Sequence, residues 1–140
     1  SKEKYIKELD LGTDALEIDK EKFENIIHQH RAKIKNILMN QRYISGIGNV
    51  YSDEILYQSG LHPEKKASSL SSKEIELLYE KMEEVIQVAV ENQADVNKFP
   101  EKWLTPHRKE NAKCPACGGK IRTKKISQRT AYFCPECQKK

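Results

Sequence analysis

No cysteine occurs before residue 114. No apolar run approaches the roughly 20 residues needed to span a bilayer, so no membrane segment is expected. The N-terminus has no charged-then-apolar leader, so no signal peptide is expected either. Internal repeats and low-complexity tracts are also missing, and 140 residues allow one ordinary domain or two small ones. The first residue is Ser1 rather than Met, so the chain reads as processed, tagged or part of something longer. What is present is 37% apolar and 33% charged residues, a balance that supports a modest helical core.

Charge is unevenly spread. Residues 97–140 hold 12 Lys/Arg against 3 Asp/Glu, a formal +9, whereas residues 1–96 hold 13 against 18, a formal −5. A basic end on a non-basic body suggests an electrostatic footprint for a polyanion. A solvated tail would have the same composition, but all four cysteines lie in this end.

Hydrophobic periodicity organises the rest. Residues 1–18, with Tyr5, Ile6, Leu9, Leu11, Leu16 and Ile18, are expected to form a lead-in that packs partly on the helices. Asp19 is a good N-cap, and Ile18 and Phe23 can form a hydrophobic staple around it. Phe23, Ile26, Ile27, His30, Ile34, Ile37 and Leu38 then recur at helical spacing, predicting one helix from about Lys20 to Met39. His28 and His30 are read as helix-surface and core-edge residues. Gly46-Ile47-Gly48 interrupts the pattern, and Asn49 is the expected N-cap of a short helix from Val50 to about Gln58. Gly60 fits the cap at its far end. Ser71 and Glu74 form a capping box before an apolar stripe of Ile75, Leu78, Met82, Val85, Ile86 and Ala89 that runs to about Glu91. Residues 92–113 lack periodicity and read as a linker or functional loop anchored by Phe99 and Trp103.

The cysteines form two CxxC pairs, Cys114/Cys117 and Cys134/Cys137, sixteen residues apart. Each pair is a tight turn presenting two sulfurs to one ion, and the spacer suits an antiparallel hairpin. Four thiolates close a tetrahedral zinc shell with no position left for substrate, so one structural Zn2+ is expected. Residues 120–126 and 130–133 alternate like strands, with Ser127-Gln128-Arg129 as the turn between them. Arg129 and the surrounding lysines favour phosphate contact. The glycine turn before the short helix offers a second anion site, because free N–H groups gather at a helix N-terminus. Gly48 allows close approach there, and Asn49 can donate its amide to a phosphate oxygen. The expected fold is mainly α: a helix-two-turn-helix domain over residues 1–96, then a linker loop and a small β-hairpin four-cysteine zinc finger over 97–140.

Residues 41–54, Gln-Arg-Tyr-Ile-Ser-Gly-Ile-Gly-Asn-Val-Tyr-Ser-Asp-Glu, followed by Leu61-His62-Pro63 and a capped helix, resemble the helix-two-turn-helix signature of the formamidopyrimidine-DNA glycosylase and endonuclease VIII family. Residues 127–138, Ser-Gln-Arg-Thr-Ala-Tyr-Phe-Cys-Pro-Glu-Cys-Gln, resemble that family's C-terminal zinc finger. Leu11-Gly12-Thr13-Asp14-Ala15-Leu16 and residues 31–35 also fit its pattern. The resemblance covers most of the chain in the family's order. It implies excision of oxidised bases from DNA followed by cleavage of the abasic strand. It further implies that Asn49 grips a backbone phosphate, and that Arg129 contacts phosphates flanking a flipped nucleotide and is linked with the second elimination. Arg31 and Lys35 would be basic positions facing the DNA, and the four cysteines the zinc ligands.

The family's catalytic N-terminal proline and adjoining glutamate belong to a β-sandwich domain that these residues do not contain. No residue here is therefore assigned to base excision. The chain reads as a DNA-binding, C-terminal half: monomeric, intracellular (cytoplasmic or nucleoid-associated), with damaged or abasic double-stranded DNA as partner and no membrane. Residues 92–113 do not match the pattern of the 8-oxoguanine-specific branch, so lesion preference is left open. Two other readings stay open: a zinc-ribbon protein that binds RNA or the ribosome, and a protein-docking module.

Overall fold

The computed structural model describes residues 12–140; the expected packing of Tyr5, Ile6, Leu9 and Leu11 lies outside this range. Four helices carry the body: α1 (Lys20–Gln29), α2 (Ile34–Met39), α3 (Asn49–Ser59) and α4 (Ser72–Glu91). Short strands β1 (Thr13–Asp14) and β2 (Ile44–Ser45) pair in parallel, and an antiparallel hairpin of β3 (Arg122–Ile126) and β4 (Arg129–Phe133) ends the chain. Among the described residues, no helix is long and apolar enough to cross a membrane.

Local signals set most boundaries. Asp19 accepts from the Lys22 amide and starts α1, with Ile18 and Phe23 buried on either side of it. The box at the start of α4 is closed in both directions: Ser71 Oγ accepts from the Glu74 amide, and Glu74 accepts from the Ser71 amide. All six residues of the α4 stripe are buried. They meet Phe23, Ile27, Ile34, Ile37, Leu38, Ile55 and Leu56 in the main core. Gly12 is required by packing, since a Cβ there would meet the Tyr43 carbonyl at 2.4 Å.

The single helix expected from Lys20 to Met39 is two helices. The chain is extended at His30, and the hydrogen bonds that would continue α1 are replaced by bonds to a distant segment. The Ile34 amide donates to the Lys65 carbonyl, the Ala67 amide donates to the Ala32 carbonyl, and Lys33 bridges Lys66. The apolar spacing survives the break because Ile34, Ile37 and Leu38 still turn inward. His30 closes the end of α1, with Nδ1 donating to the Ile26 carbonyl and its ring against Tyr43. His28 lies at the surface beside Glu24.

Residues 92–113 contain two 3-10 turns and are held at both ends. Phe99 and Trp103 are buried in the helical core, whereas Leu104 belongs to a second, smaller core with Tyr57, Cys114, Ile121 and Cys134. Removing the α4 cap with Ser71→Ala should cost about 1 kcal/mol of stability. Denaturant titration tests this, and a midpoint equal to the parent's would show that the box does not support the helix.

Candidate nucleic-acid interface

The N-terminus of α3 is where the glycine turn leads. Gly46 has φ +96°, a conformation that requires glycine, while Gly48 is extended and is itself the N-cap. The expectation that Asn49 caps α3 is therefore corrected: Asn49 is the first helical residue. The first helical bond runs from the Ser52 amide to the Gly48 carbonyl, so the amides of Asn49, Val50 and Tyr51 have no intrahelical acceptor. A Cβ built on Gly48 would meet nothing within 4 Å, so the backbone at the cap faces open space. Beside it runs an open groove of about 330 Å³ lined by Gly46, Gly48, Asn49, Val50, Tyr51 and Val96.

The helix behind this turn is buried on nearly every side, and its polar residues serve the finger. Asn49, Asp53 and Tyr57 recur every four residues and so share one face. Asn49 Nδ2 donates to the Thr130 carbonyl of β4 (3.3 Å). Asp53, 1% exposed, accepts from Lys35 Nζ (2.6 Å), Arg108 Nε (3.0 Å) and the Tyr132 amide (3.1 Å). Arg108 also stacks on the Tyr132 ring, 4.3 Å from its centroid. Tyr57 reaches Cys114 Sγ at 3.0 Å. Neighbouring Glu54 accepts from the Leu104 and Thr105 amides (3.0 and 2.7 Å), which holds the loop on which Arg108 sits. Asp53 and Glu54 thus act as buried connectors between α3, the loop and the finger.

Lys35 is not a surface cation. It is 1% exposed, donates to Ser52 Oγ (2.9 Å) as well as Asp53, and burial pulls its ammonium below the usual lysine value against the pull of Asp53. The expectation that Lys35 faces DNA directly is corrected on this ground: its charge is spent on Asp53. Arg31 is exposed in the break between α1 and α2. Arg108 was not singled out from sequence, because it lies in an aperiodic loop. The available signal was Asp53, a carboxylate in a helix turn with few exposed positions, which needs cations from elsewhere.

The finger folds as its spacing implies. Cys114, Cys117, Cys134 and Cys137 bring their sulfurs within 4.8 Å of one another, with 3.9 Å between Cys114 and Cys137 and 3.5 Å between Cys117 and Cys134. Zn–S bonds of about 2.3 Å place tetrahedral sulfurs about 3.8 Å apart, so the four residues fit one structural zinc. All four side chains are free thiols rather than disulfides. Gly118, at φ +77°, reverses the chain after the first knuckle. Gln138 locks the second: it accepts from the Cys134 amide and donates to the Leu61 carbonyl after α3.

The hairpin turn is two residues, Ser127 and Gln128, both at positive φ, a tight form that follows strand twist. Arg129 is therefore the first residue of β4, paired with Ile126, and exposed. Because Asn49 bonds to Thr130, the two residues singled out for phosphate contact lie on adjoining surfaces despite their separation in sequence. On the flank of the finger, Glu64 gathers Lys33 (3.1 Å), Lys124 (3.1 Å) and Lys140 (3.4 Å). Burial pushes its carboxyl up, but the three ammonium groups outweigh this and hold it down at about 2.

The chain is similar to known proteins in sequence and in fold. Residues 11–100 match the family model described as the formamidopyrimidine-DNA glycosylase H2TH domain, and residues 112–140 match the zinc finger found in FPG and IleRS. A formamidopyrimidine-DNA glycosylase of Pelotomaculum thermopropionicum is 35% identical over 97% of the chain, which covers 53% of that protein. One of Arabidopsis thaliana is 41% identical over 93% of the chain and 34% of its own length. The Lactococcus lactis Fpg in complex with DNA containing an abasic site superposes with a TM-score of 0.82 at 28% identity, over 98% of this chain and 55% of that one. MutM in complex with DNA containing carbocyclic 8-oxo-G gives 0.84 at 29% identity, over 98% and 54%. The chain thus spans about half the length of these structures and of the bacterial relative.

Asp53→Ala would leave buried Lys35 and half-buried Arg108 without their carboxylate and should cost about 3 kcal/mol. It should also expose the Tyr132 amide to solvent exchange. Parental stability with a protected Tyr132 amide would show that the carboxylate does not join the helices to the finger.

Proposed function

The chain belongs to the formamidopyrimidine-DNA glycosylase H2TH-domain family, and from that premise we propose that it is the DNA-binding part of a base-excision-repair glycosylase and abasic-site lyase acting on oxidised bases. It comprises a helical unit, residues 1–96, and a loop-and-finger unit, residues 97–140, and works on DNA inside the cell. The proposed partner is duplex DNA, damaged or abasic, like the DNA bound by the neighbouring structures.

The observation that carries this reading is the bond from Asn49 to Thr130, which sets the open N-terminus of α3 beside Arg129. Unpartnered helix amides and the Asn49 side chain suit one phosphate. The Arg129 guanidinium, exposed at the hairpin end, suits another by a forked pair of hydrogen bonds. Two anchors on separate elements, fixed relative to each other, can hold a backbone in the bent path that an extruded nucleotide requires. Gly48 contributes by leaving the approach unobstructed. Arg31 adds positive charge outside the clamp, and Lys35 acts indirectly by sustaining Asp53. Arg129 is also the residue proposed for a part in the second elimination. Base excision itself is assigned to no residue of this chain.

Fluorescence anisotropy with an abasic-analogue duplex, an intact duplex and a hairpin RNA, at two salt concentrations, tests the proposal. Salt-sensitive binding to DNA is expected, whereas preference for the RNA would overturn it. Arg129→Ala should cost about 1 kcal/mol or more of affinity and flatten the salt dependence by about one unit. A slope identical to the parent's would show that the hairpin end does not touch phosphate.

A further inference from the structure

The zinc centre is not built by the finger alone. Four thiolates on one zinc leave a formal charge of about −2, which must be compensated by hydrogen-bond donors where it is buried. The two knuckles supply matching backbone donors: the amides of Ala116 and Cys117 face Cys114, and those of Glu136 and Cys137 face Cys134. The centre is nevertheless asymmetric. The Tyr57 hydroxyl lies 3.0 Å from Cys114 Sγ, and Tyr57 comes from α3, 57 residues away in the helical body. Its ring is 7% exposed and packs with Leu104, Ile121, Cys114 and Cys134 in the finger's own small core. Cys114 is 1% exposed, whereas Cys117 is at the surface.

We propose that Tyr57 is a positioning residue of the zinc centre: its hydroxyl donates a hydrogen bond to the Cys114 thiolate, so that zinc retention depends on the docking of the finger against α3. The inference rests on the zinc reading of the four cysteines. A zinc-bound thiolate carries no proton, so the phenol is the donor in the loaded protein. Partners of this kind orient metal ligands and hold the metal, and their loss commonly weakens binding ten- to a hundredfold. The position of Tyr57 gives the bond a further consequence. Asn49, Asp53 and Tyr57 lie along one face of α3, so the helix that presents the phosphate-binding turn at one end grips a zinc ligand near the other. Zinc loss frees the hydroxyl's acceptor, Cys114 Sγ, from its fixed position and loosens the surface against which Asn49 is set.

Tyr57→Phe keeps the ring and removes only the hydroxyl. With the zinc-loaded chain, release of metal to a chromophoric chelator should be about tenfold faster than for the parent. In the cobalt-substituted protein, the thiolate-to-metal charge-transfer band should move to longer wavelength. Tyr79→Phe is the control, because it deletes a hydroxyl bond to the Ile18 carbonyl (2.7 Å) at the edge of the helical core. It should leave both readouts at parental values even where it lowers stability. Parental release and an unshifted cobalt band in Tyr57→Phe overturn the inference alone; a parent chain that binds no zinc overturns it together with the zinc reading. Should Tyr57→Phe fail to fold, the unmodified chain loaded with cadmium-113 decides. A slowly exchanging phenolic proton coupled to the metal supports the bond, and a Tyr57 proton exchanging as fast as a free phenol's removes it.

Discussion

Asp53 is a carboxylate taken out of water in the middle of a helix, and the relative placement of the helices and the finger depends on its being satisfied. Leaving such a charge without partners is costly. Its two oxygens draw in Lys35 from α2, Arg108 from the loop and the Tyr132 amide from β4. Three segments remote in sequence are thereby fixed to one side chain. Two cations share the one carboxylate, so the cluster keeps a net positive charge directly behind the turn at Asn49. That arrangement costs stability by itself, and it suits a surface meant to meet a phosphate.

The consequences run along α3. A helix buried on nearly all sides has little freedom to rotate, and this one uses its four-residue repeat to reach the finger at three levels. Glu54, one position round, secures the loop between the two cores through the Leu104 and Thr105 amides. Gln138 returns the favour from the C-terminus by tying the second knuckle to Leu61. The finger has only a small apolar core, and its stability draws on the zinc and on this docking surface together. A hairpin that rocked freely would place Arg129 at no fixed distance from Asn49.

Legibility in the sequence followed the range of the interaction. The capping box at Ser71, the α4 stripe and the two knuckles depend on residues within a few positions of one another, and each was readable. The break between α1 and α2 was not, because its cause is pairing of residues 32–34 with 65–67, a contact the local pattern does not contain. Asn49 has the residue type of a cap, yet the extended Gly48 takes that role and frees the amide to reach Thr130. Lys35 shows the same limit: the family resemblance implied a charge facing the DNA, while its actual setting depends on Asp53 eighteen residues on. Arg108 was invisible for the converse reason, since nothing near it in sequence marks it as part of a cluster.

The charge count carries a related lesson. The excess of cations in residues 97–140 suggested a broad polyanion surface, but part of that excess is used internally. Arg108 is committed to Asp53, and Lys124 and Lys140 turn to Glu64, which also holds Lys33 from the helical side. Ion pairs whose lysines reach into solvent contribute little stability each, but three ammonium groups around the largely buried Glu64 carboxylate fix the flank of the finger. A diffuse basic surface binds any polyanion. Arg129, exposed beside the open N-terminus of α3, adds a fixed pair of anchors to that charge, and the backbone geometry of a bound strand has to match them.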